Sequence, residues 1–582
     1  MQFYEAEIDT DIEPLTEALT KLAAGEGTAF TFIDYGTDAD GIEHSISWYE
    51  LDRRARAVAA KLGELTDSGE RVALLCPQNL DYVIGFYAAL YAGTISVPLF
   101  APEASAHGQR LVGALADADS RVWLTSSESM DAVRELRDNQ PVPRPKHLLA
   151  VDTVDSALAD DFEPVPRAET DPAYLQYTSG STRSPAGAVI TRRAVAANVA
   201  QVRSAYAVGP ESTCVGWLPF FHDMGLVQLV CLPVAAGCPC LFTTPFSFTR
   251  KPVRWLRLLS RAREAITAAP NFAFEYAAAK LTDADRAELD LSGVRTAING
   301  SEPVRSSTIA GFQQACGPLG FAEQAHRPSY GLAEATVFVT ASQGPHVLTA
   351  DRERLGAGAL ELVQETDDRA ISLVSAGKPV GQLVRIVDAE HGAVLDEGSV
   401  GEIWVHGPNV ADGFWRQPER STETFGGTLA EPGELPGTGW LRTGDLGVFH
   451  EGRLYITGRV KDLIIIDGKN HYPQDIEATV QEAHPAIRRD RLAVFSIERD
   501  GKEGPVVVAE FSQHVPEAER EPGAVAKKVR AAVARHHDLR LLDFRLVPPG
   551  TVRRTSSGKI ARAATRTRYL EAIDAAENGR TA

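Results

Sequence analysis

Residues 175–189 read LQYTSGSTRSPAGAV: an apolar run, Leu175 to Tyr177, breaking into a loop crowded with hydroxyls and glycine. Such a loop suits phosphate. Gly180 lets the backbone approach an anion and turn its N–H groups inward, while Thr178, Ser179, Ser181 and Thr182 offer short hydroxyl donors. The loop is not the phosphate loop of the common NTPases, because Gly180 and Gly187 are wrongly spaced and no Lys-Ser/Thr pair follows Gly187. Taken alone, a stretch of this composition is more often a surface turn. Its neighbours decide the matter.

Outward from the loop, short apolar runs (71–76, 95–99, 122–125, 148–151, 173–178) alternate with helix-like stretches such as Leu80 to Tyr91, which is the rhythm of an α/β sheet. After about Gly344 helical periodicity fades, and β-like runs such as 383–387 and 401–406 alternate with Gly and Asp turns. The texture changes again near Arg459 and Lys461. Beyond them a run at 506–511, a helix over 524–536 and a basic tail predict a small terminal α/β domain.

A chain of 582 residues is long enough for several packed units. An apolar share of 44% with 24% charged residues is that of soluble globular proteins. The net charge of −19 argues against nucleic acid or an anionic membrane as partner. The start is acidic, and no apolar segment is long and uninterrupted enough to span a bilayer, so a cytoplasmic protein is expected. Six scattered cysteines fit neither a zinc site nor a disulfide scaffold and read as core thiols.

Six further segments accompany the loop in order: WLPFFHDMGL (217–226), AINGSEPV (297–304), PSYGLAEAT (328–336), GWLRTGDLG (439–447), YITGRVKDLIII (455–466) and RRTSSGKIAR (553–562). With them the chain resembles the adenylate-forming superfamily of acyl-CoA synthetases, luciferases and nonribosomal-peptide adenylation domains, over nearly its whole length. The resemblance implies an N-terminal adenylation domain over 1–460, built of α/β subdomains and a β-rich subdomain. A small mobile α/β C-terminal domain over 461–582 would hold the catalytic lysine.

What the resemblance implies for single residues makes chemical sense. Tyr330, with Gly331, would stack on adenine, and Gly300, Ser301, Glu302 and Pro303 would line the base. Asp445 would accept two hydrogen bonds from the ribose diol, with Ile456 and Arg459 nearby. Thr178 to Thr182 would hold the phosphates of ATP. Glu334 is the expected ligand of Mg2+, which commonly uses one or two carboxylates plus water. Lys559 would stabilise the carboxylate and the charge developing on the α-phosphate, as a compact cation can. His222 would border the acyl pocket and the phosphates, Phe220, Phe221, Asn271 and Phe272 would line that pocket, and Lys461 would be the hinge.

Within the superfamily, Arg183 and Ala186 stand where the usual loop has Gly and Lys, and about 344–375 forms an extra segment before GKPVGQLVRIVD. These features, with HDMGL, PNFAFEYA (270–277) and NGSEPV, resemble fatty acyl-AMP ligases. That resemblance implies activation of a medium- to long-chain fatty acid with release of pyrophosphate. It also implies an insertion that restrains domain movement, and transfer to the phosphopantetheine thiol of a separate acyl carrier protein. Arg540, Arg545, Arg553, Arg554, Arg562, Arg566 and Arg568 are candidates for meeting such an acidic partner. Two other readings stand beside it: an acyl-CoA synthetase, which acyl-CoA product would reveal, and a catalytically silent nucleotide- or acyl-adenylate-binding protein, against which Glu334, Asp445 and Lys559 speak.

Overall fold

The computed structural model describes residues 13–102, 108–177, 185–466, 469–499, 502–554 and 559–578. The loop residues Thr178, Ser179, Gly180, Ser181 and Thr182 lie outside them. The α/β rhythm folds as two sheets. In the first, six strands run in the order 147–150, 122–125, 71–74, 95–98, 172–177 and 187–191. All its neighbours are parallel except the last pair, where Tyr177 faces Gly187 across the candidate phosphate loop.

The second sheet has a parallel centre, Thr213–Gly216, Ala265–Pro270, Val294–Gly300 and His326–Tyr330. Beyond His326–Tyr330 it continues as antiparallel strands that include Ala370–Pro379, Arg453–Arg459, Leu441–His450 and Gly401–His406. These make up the β-rich region expected after Gly344. Ligands of open α/β sheets bind outside the carboxyl ends of the parallel strands, and Gly300 to Pro303, Tyr330 and the loop after Tyr177 all follow such ends.

Local chemistry accounts for the elements around the site. Leu80–Tyr91 is capped by Asn79, whose side chain accepts from the Asp81 N–H, and it is buried from Tyr82 to Tyr91. A helix that is apolar all round belongs inside. The helix beginning at Asp223 has His222 at its N-cap. A Cβ on Gly225 would stand 2.0 Å from the Pro219 carbonyl oxygen, so that tight entry needs glycine. All six cysteines are free and buried, as expected of core thiols.

Residues 464–547 form their own small sheets: a hairpin of Ile464–Ile466 with Lys469–His471, and three strands, Ile487–Arg499, Lys502–Phe511 and Asp543–Val547. Helices Pro473–Ala483 and Pro522–His537 pack there through Ile476, Val480, Val525, Val529 and Val533. The extra segment builds a strand, Val347–Asp351, and a one-turn helix, Arg352–Gly356. This helix meets the C-terminal residues directly: Glu353 pairs with Lys469 Nζ at 2.7 Å, and Arg352 Nη1 donates to the His536 carbonyl at 2.8 Å.

Candidate active site

The strand ends and the C-terminal residues enclose one cavity of about 1170 Å3. Its wall carries His222, Gly300, Ser301, Glu302, Pro303, Tyr330, Gly331, Glu334, Asp445, Ile456, Arg459, Lys461 and Lys559, residues from segments far apart in the chain.

Asp445 and Arg459 face each other on adjacent antiparallel strands. Arg459 Nε stands 2.8 Å from Asp445 Oδ1, and the Tyr330 hydroxyl donates to Asp445 Oδ2 at 2.7 Å. This fixes the phenol ring while each carboxylate oxygen keeps a further lone pair for a hydroxyl. Asp445 also holds the Arg459 guanidinium more firmly protonated than usual.

Glu402 sits behind this trio and is buried. Its Oε1 accepts from the Gly444 N–H at 2.9 Å, and its Oε2 accepts from Trp404 Nε1 at 2.8 Å. Glu402 was not among the expected site residues; the signal is a lone carboxylate beside the apolar residues of a strand, Gly401–His406, that is buried from Glu402 to Val405. Replacing Glu402 by Gln leaves one of these donors facing an NH2 group. Losing a charged hydrogen bond is worth roughly 1.5–3 kcal/mol, so E402Q is expected to raise the KM for ATP about tenfold or more with little change in kcat, as read by steady-state pyrophosphate release.

At the opposite wall, His222 Nδ1 lies 2.5 Å from Asp223 Oδ1, and that oxygen also accepts from the Met224 N–H at 2.7 Å. Burial opposes ionisation of Asp223, but the His222 ring and the Lys559 ammonium hold its carboxyl below the ordinary range. Asp223 was not among the expected site residues, although it adjoins His222 in HDMGL. Burial and the Arg459 charge lower the pKa of Lys559, while Asp223, Glu302 and Asp445 pull it upward. The lysine adjoins Ile560, which forms an antiparallel bridge with Arg554.

Glu334 lies on a short 3-10 turn, Ala333–Ala335, with its carboxyl pushed up by burial. The segment after it is held by buried amides: Asn198 Nδ2 donates to the Phe338 carbonyl at 3.1 Å, and Asn409 Nδ2 to the Ala335 carbonyl at 3.1 Å. Thr336, a β-branched residue at φ +66°, is kept in the left-handed region by Oγ1 donating to the Asn409 carbonyl at 2.7 Å. Such a conformation costs of order 1–3 kcal/mol and persists where the surroundings over-determine it. Among the described residues no group of three or more His, Cys, Asp or Glu is gathered for a metal. A lone carboxylate without a salt bridge, among those residues, is nevertheless what a magnesium ion bridging phosphates takes from a protein.

Of the four residues expected to line the acyl pocket, only Asn271 reaches the cavity wall. Phe220 is buried against Tyr82 and Phe242, and Phe221 packs on Phe100. Phe272 lies under the Arg554 guanidinium, 5.6 Å from its ring centroid. Phe220 is buried, and Phe221 and Phe272 are half-buried; their apolar character alone does not say what each packs against. Two of the basic residues also turn inward: Arg554 by that contact, and Arg562 by forking Glu477 at 2.7 Å and pairing with Asp462 at 3.0 Å. Arg540, Arg545, Arg553, Arg566 and Arg568 remain exposed.

Comparison with known proteins agrees with this geometry. The family model described as AMP-binding enzyme matches residues 23–415, and one described as Disco-interacting protein 2-like, AMP domain, matches 461–576. A long-chain-fatty-acid–AMP ligase of Mycolicibacterium smegmatis is 42% identical, over 94% of this chain and 92% of its own. A solved structure from a study of fatty acyl-adenylate ligases of E. coli and L. pneumophila superposes with a TM-score of 0.85 at 32% identity, covering 97% of this chain and 99% of that one. The chain belongs to the fatty acyl-AMP ligases of the adenylate-forming superfamily. A further ligase structure, from L. pneumophila in complex with acyl adenylate and pyrophosphate, covers 97% of this ligase and 98% of its own chain at 31% identity, with a TM-score of 0.73. Among the described residues of the ligase no helix is long and apolar enough to cross a membrane.

Proposed function

We propose that the residues on the cavity wall divide the work of fatty acid activation among them, and that the acyl group then passes to a separate carrier protein. The ligase joins a fatty acid to AMP at the expense of ATP. A carboxylate oxygen of the acid attacks the α-phosphorus, the bond from that phosphorus to the bridging oxygen of the β-phosphate breaks, and pyrophosphate leaves. Lys559 meets the charge that grows on the α-phosphate, a contact worth more in the transition state than in the ground state. His222, oriented by Asp223, borders the reacting carboxyl, Asp445 takes the ribose hydroxyls, and Tyr330 offers its ring to the adenine. Glu334 is the residue that would hold Mg2+, which when bound to the phosphates neutralises part of their charge.

The observation that carries this division is the meeting of Lys559, from the last part of the chain, with Asp223, Glu302 and Asp445 in one cavity. No covalent intermediate is called for, since positioning and fixed charge suffice. ATP–pyrophosphate exchange tests it: exchange that requires a medium- or long-chain fatty acid supports the reading, and exchange independent of added acid sinks it.

The proposed carrier transfer, in place of CoA, is supported by the docking of the inserted segment on the C-terminal residues. An exposed ion pair contributes about 0.2–1 kcal/mol, so loosening this contact shifts the domain equilibrium by a few-fold. The double variant R352A/K469A is expected to make more acyl-CoA than the parent, up to about fivefold; an unchanged yield would remove the insertion from the explanation. The thiol acceptor itself is checked by acyl transfer to a phosphopantetheinylated carrier protein.

A further inference from the structure

The cavity wall also carries Arg305, just after Gly300–Pro303, and Asp490, on the C-terminal strand Ile487–Arg499. Arg305 Nη2 stands 2.6 Å from Asp490 Oδ1. Each partner is anchored within its own part of the chain. The Arg305 N–H donates to Asn271 Oδ1 at 3.2 Å, and Asn271 Nδ2 donates to Thr308 Oγ1 at 3.0 Å. Asp490 lies where its strand breaks register with Lys502–Phe511, at φ +52°, and its N–H donates at 2.7 Å to Oε1 of the buried Gln481. Left-handed backbone of this kind suits Asp. Anchoring of both ends lowers the entropy cost that makes most surface pairs weak.

From Asp490 a line of contacts runs to Lys559. Two residues earlier, Arg488 Nη1 pairs at 3.0 Å with Oε2 of the fully buried Glu510. Glu510 Oε1 accepts from the Gly550 N–H at 2.7 Å and the Val552 N–H at 3.1 Å. Next along the chain, the Arg553 carbonyl accepts from the Ala561 N–H at 2.9 Å, and Arg554 bridges Ile560, so that both flanks of Lys559 are tied to the same frame.

We infer that the Arg305–Asp490 pair sets where Lys559 stands, and that Arg305 and Asp490 are positioning residues for adenylate formation. The inference rests on the assignment of Lys559 to that step. On the Arg305 side the reference point is firm, because Glu302 Oε1 accepts from the Phe272 N–H at 2.6 Å. A displacement of about 1 Å in a positioned group can cost ~10²-fold in rate. Releasing the pair leaves Arg489 Nη1 at 3.8 Å from Glu275 Oε1, and Arg554 on the Phe272 ring, so the frame is loosened but not freed. The loss is therefore smaller, about tenfold.

Arg305→Gln and Asp490→Asn remove the charges, and Asn tolerates the left-handed backbone. The two single variants and the double are made in the full chain and again in a Lys559→Ala background. Acyl-AMP formation is read by mass spectrometry with whichever of lauric, palmitic and stearic acids is used fastest. With Lys559 present, each single is expected to lower kcat about tenfold with little change in the KM for ATP, and the double to be no slower than the slower single, since both lose one contact. In the Lys559→Ala background neither slows the reaction further, because the group they position is gone. A stability defect alone would cost the same factor in both backgrounds. That result, parent-like kcat in both singles, or a double slowed by the product of the two losses overturns the inference alone. A Lys559→Ala enzyme as fast as the parent overturns the lysine assignment, and the inference with it.

Discussion

Lys559→Ala lowers the rate of acyl-AMP formation about 10²–10³-fold, the effect of removing one preorganised charge from a developing anion. Substrate binding changes far less, because ATP keeps Asp445, Tyr330 and Arg459. Arg at this position does not restore the rate, since a planar fork on a longer stem cannot take the place of a compact ammonium. The pH profile supplies an independent check. Burial, with Arg459 adding to it, lowers the pKa of Lys559. A step that needs the ammonium is full below that pKa and lost as pH rises through it, so the alkaline limb of the parent lies below the ordinary lysine range. ATP–pyrophosphate exchange across pH measures both, and a K559A enzyme as fast as the parent would remove the lysine from the chemistry.

Gly331→Ala is the second large effect. A Cβ there would stand 1.6 Å from the Val337 carbonyl oxygen, so one side must move. Val337 is not free to yield: its N–H donates to the Ala335 carbonyl at 2.8 Å, and the next two N–H groups are also engaged, Phe338 with Asn198 Oδ1 at 3.2 Å and Val339 with the Tyr330 carbonyl at 3.0 Å. The strain passes to Tyr330 and Glu334, which flank the glycine. A displacement of about 1 Å in a positioning group can cost ~10²-fold in rate, and that is the loss expected in acyl-AMP formation, with a lowered melting temperature. Parent-like activity would show that the loop is softer than its hydrogen bonds imply.

The elements most legible in the sequence were those whose pattern has one solution. The strands 122–125 and 401–406 and the helix 80–91 fall where periodicity put them, because an alternating or continuously apolar run between turn residues has few other ways to bury itself. The cavity was less legible, because its wall is assembled across distant segments. Glu402, Asn198 and Asn409 act through partners far along the chain, such as Gly444 for Glu402 and Phe338 for Asn198. Phe220, Phe221 and Phe272 show the converse: their apolar character was legible, but not that Phe220 would be buried in the core and Phe221 and Phe272 only half-buried against Phe100 and Arg554. Arg554 and Arg562 looked like surface charge because a sequence does not show that Phe272, Glu477 and Asp462 await them.

The most direct measurement is mass spectrometry of the products formed from ATP, magnesium and a ladder of fatty acids in the presence of excess CoA. Acyl-AMP and pyrophosphate as the main products, with acyl-CoA at most a minor one, is the expected result; acyl-CoA as the main product would contradict it.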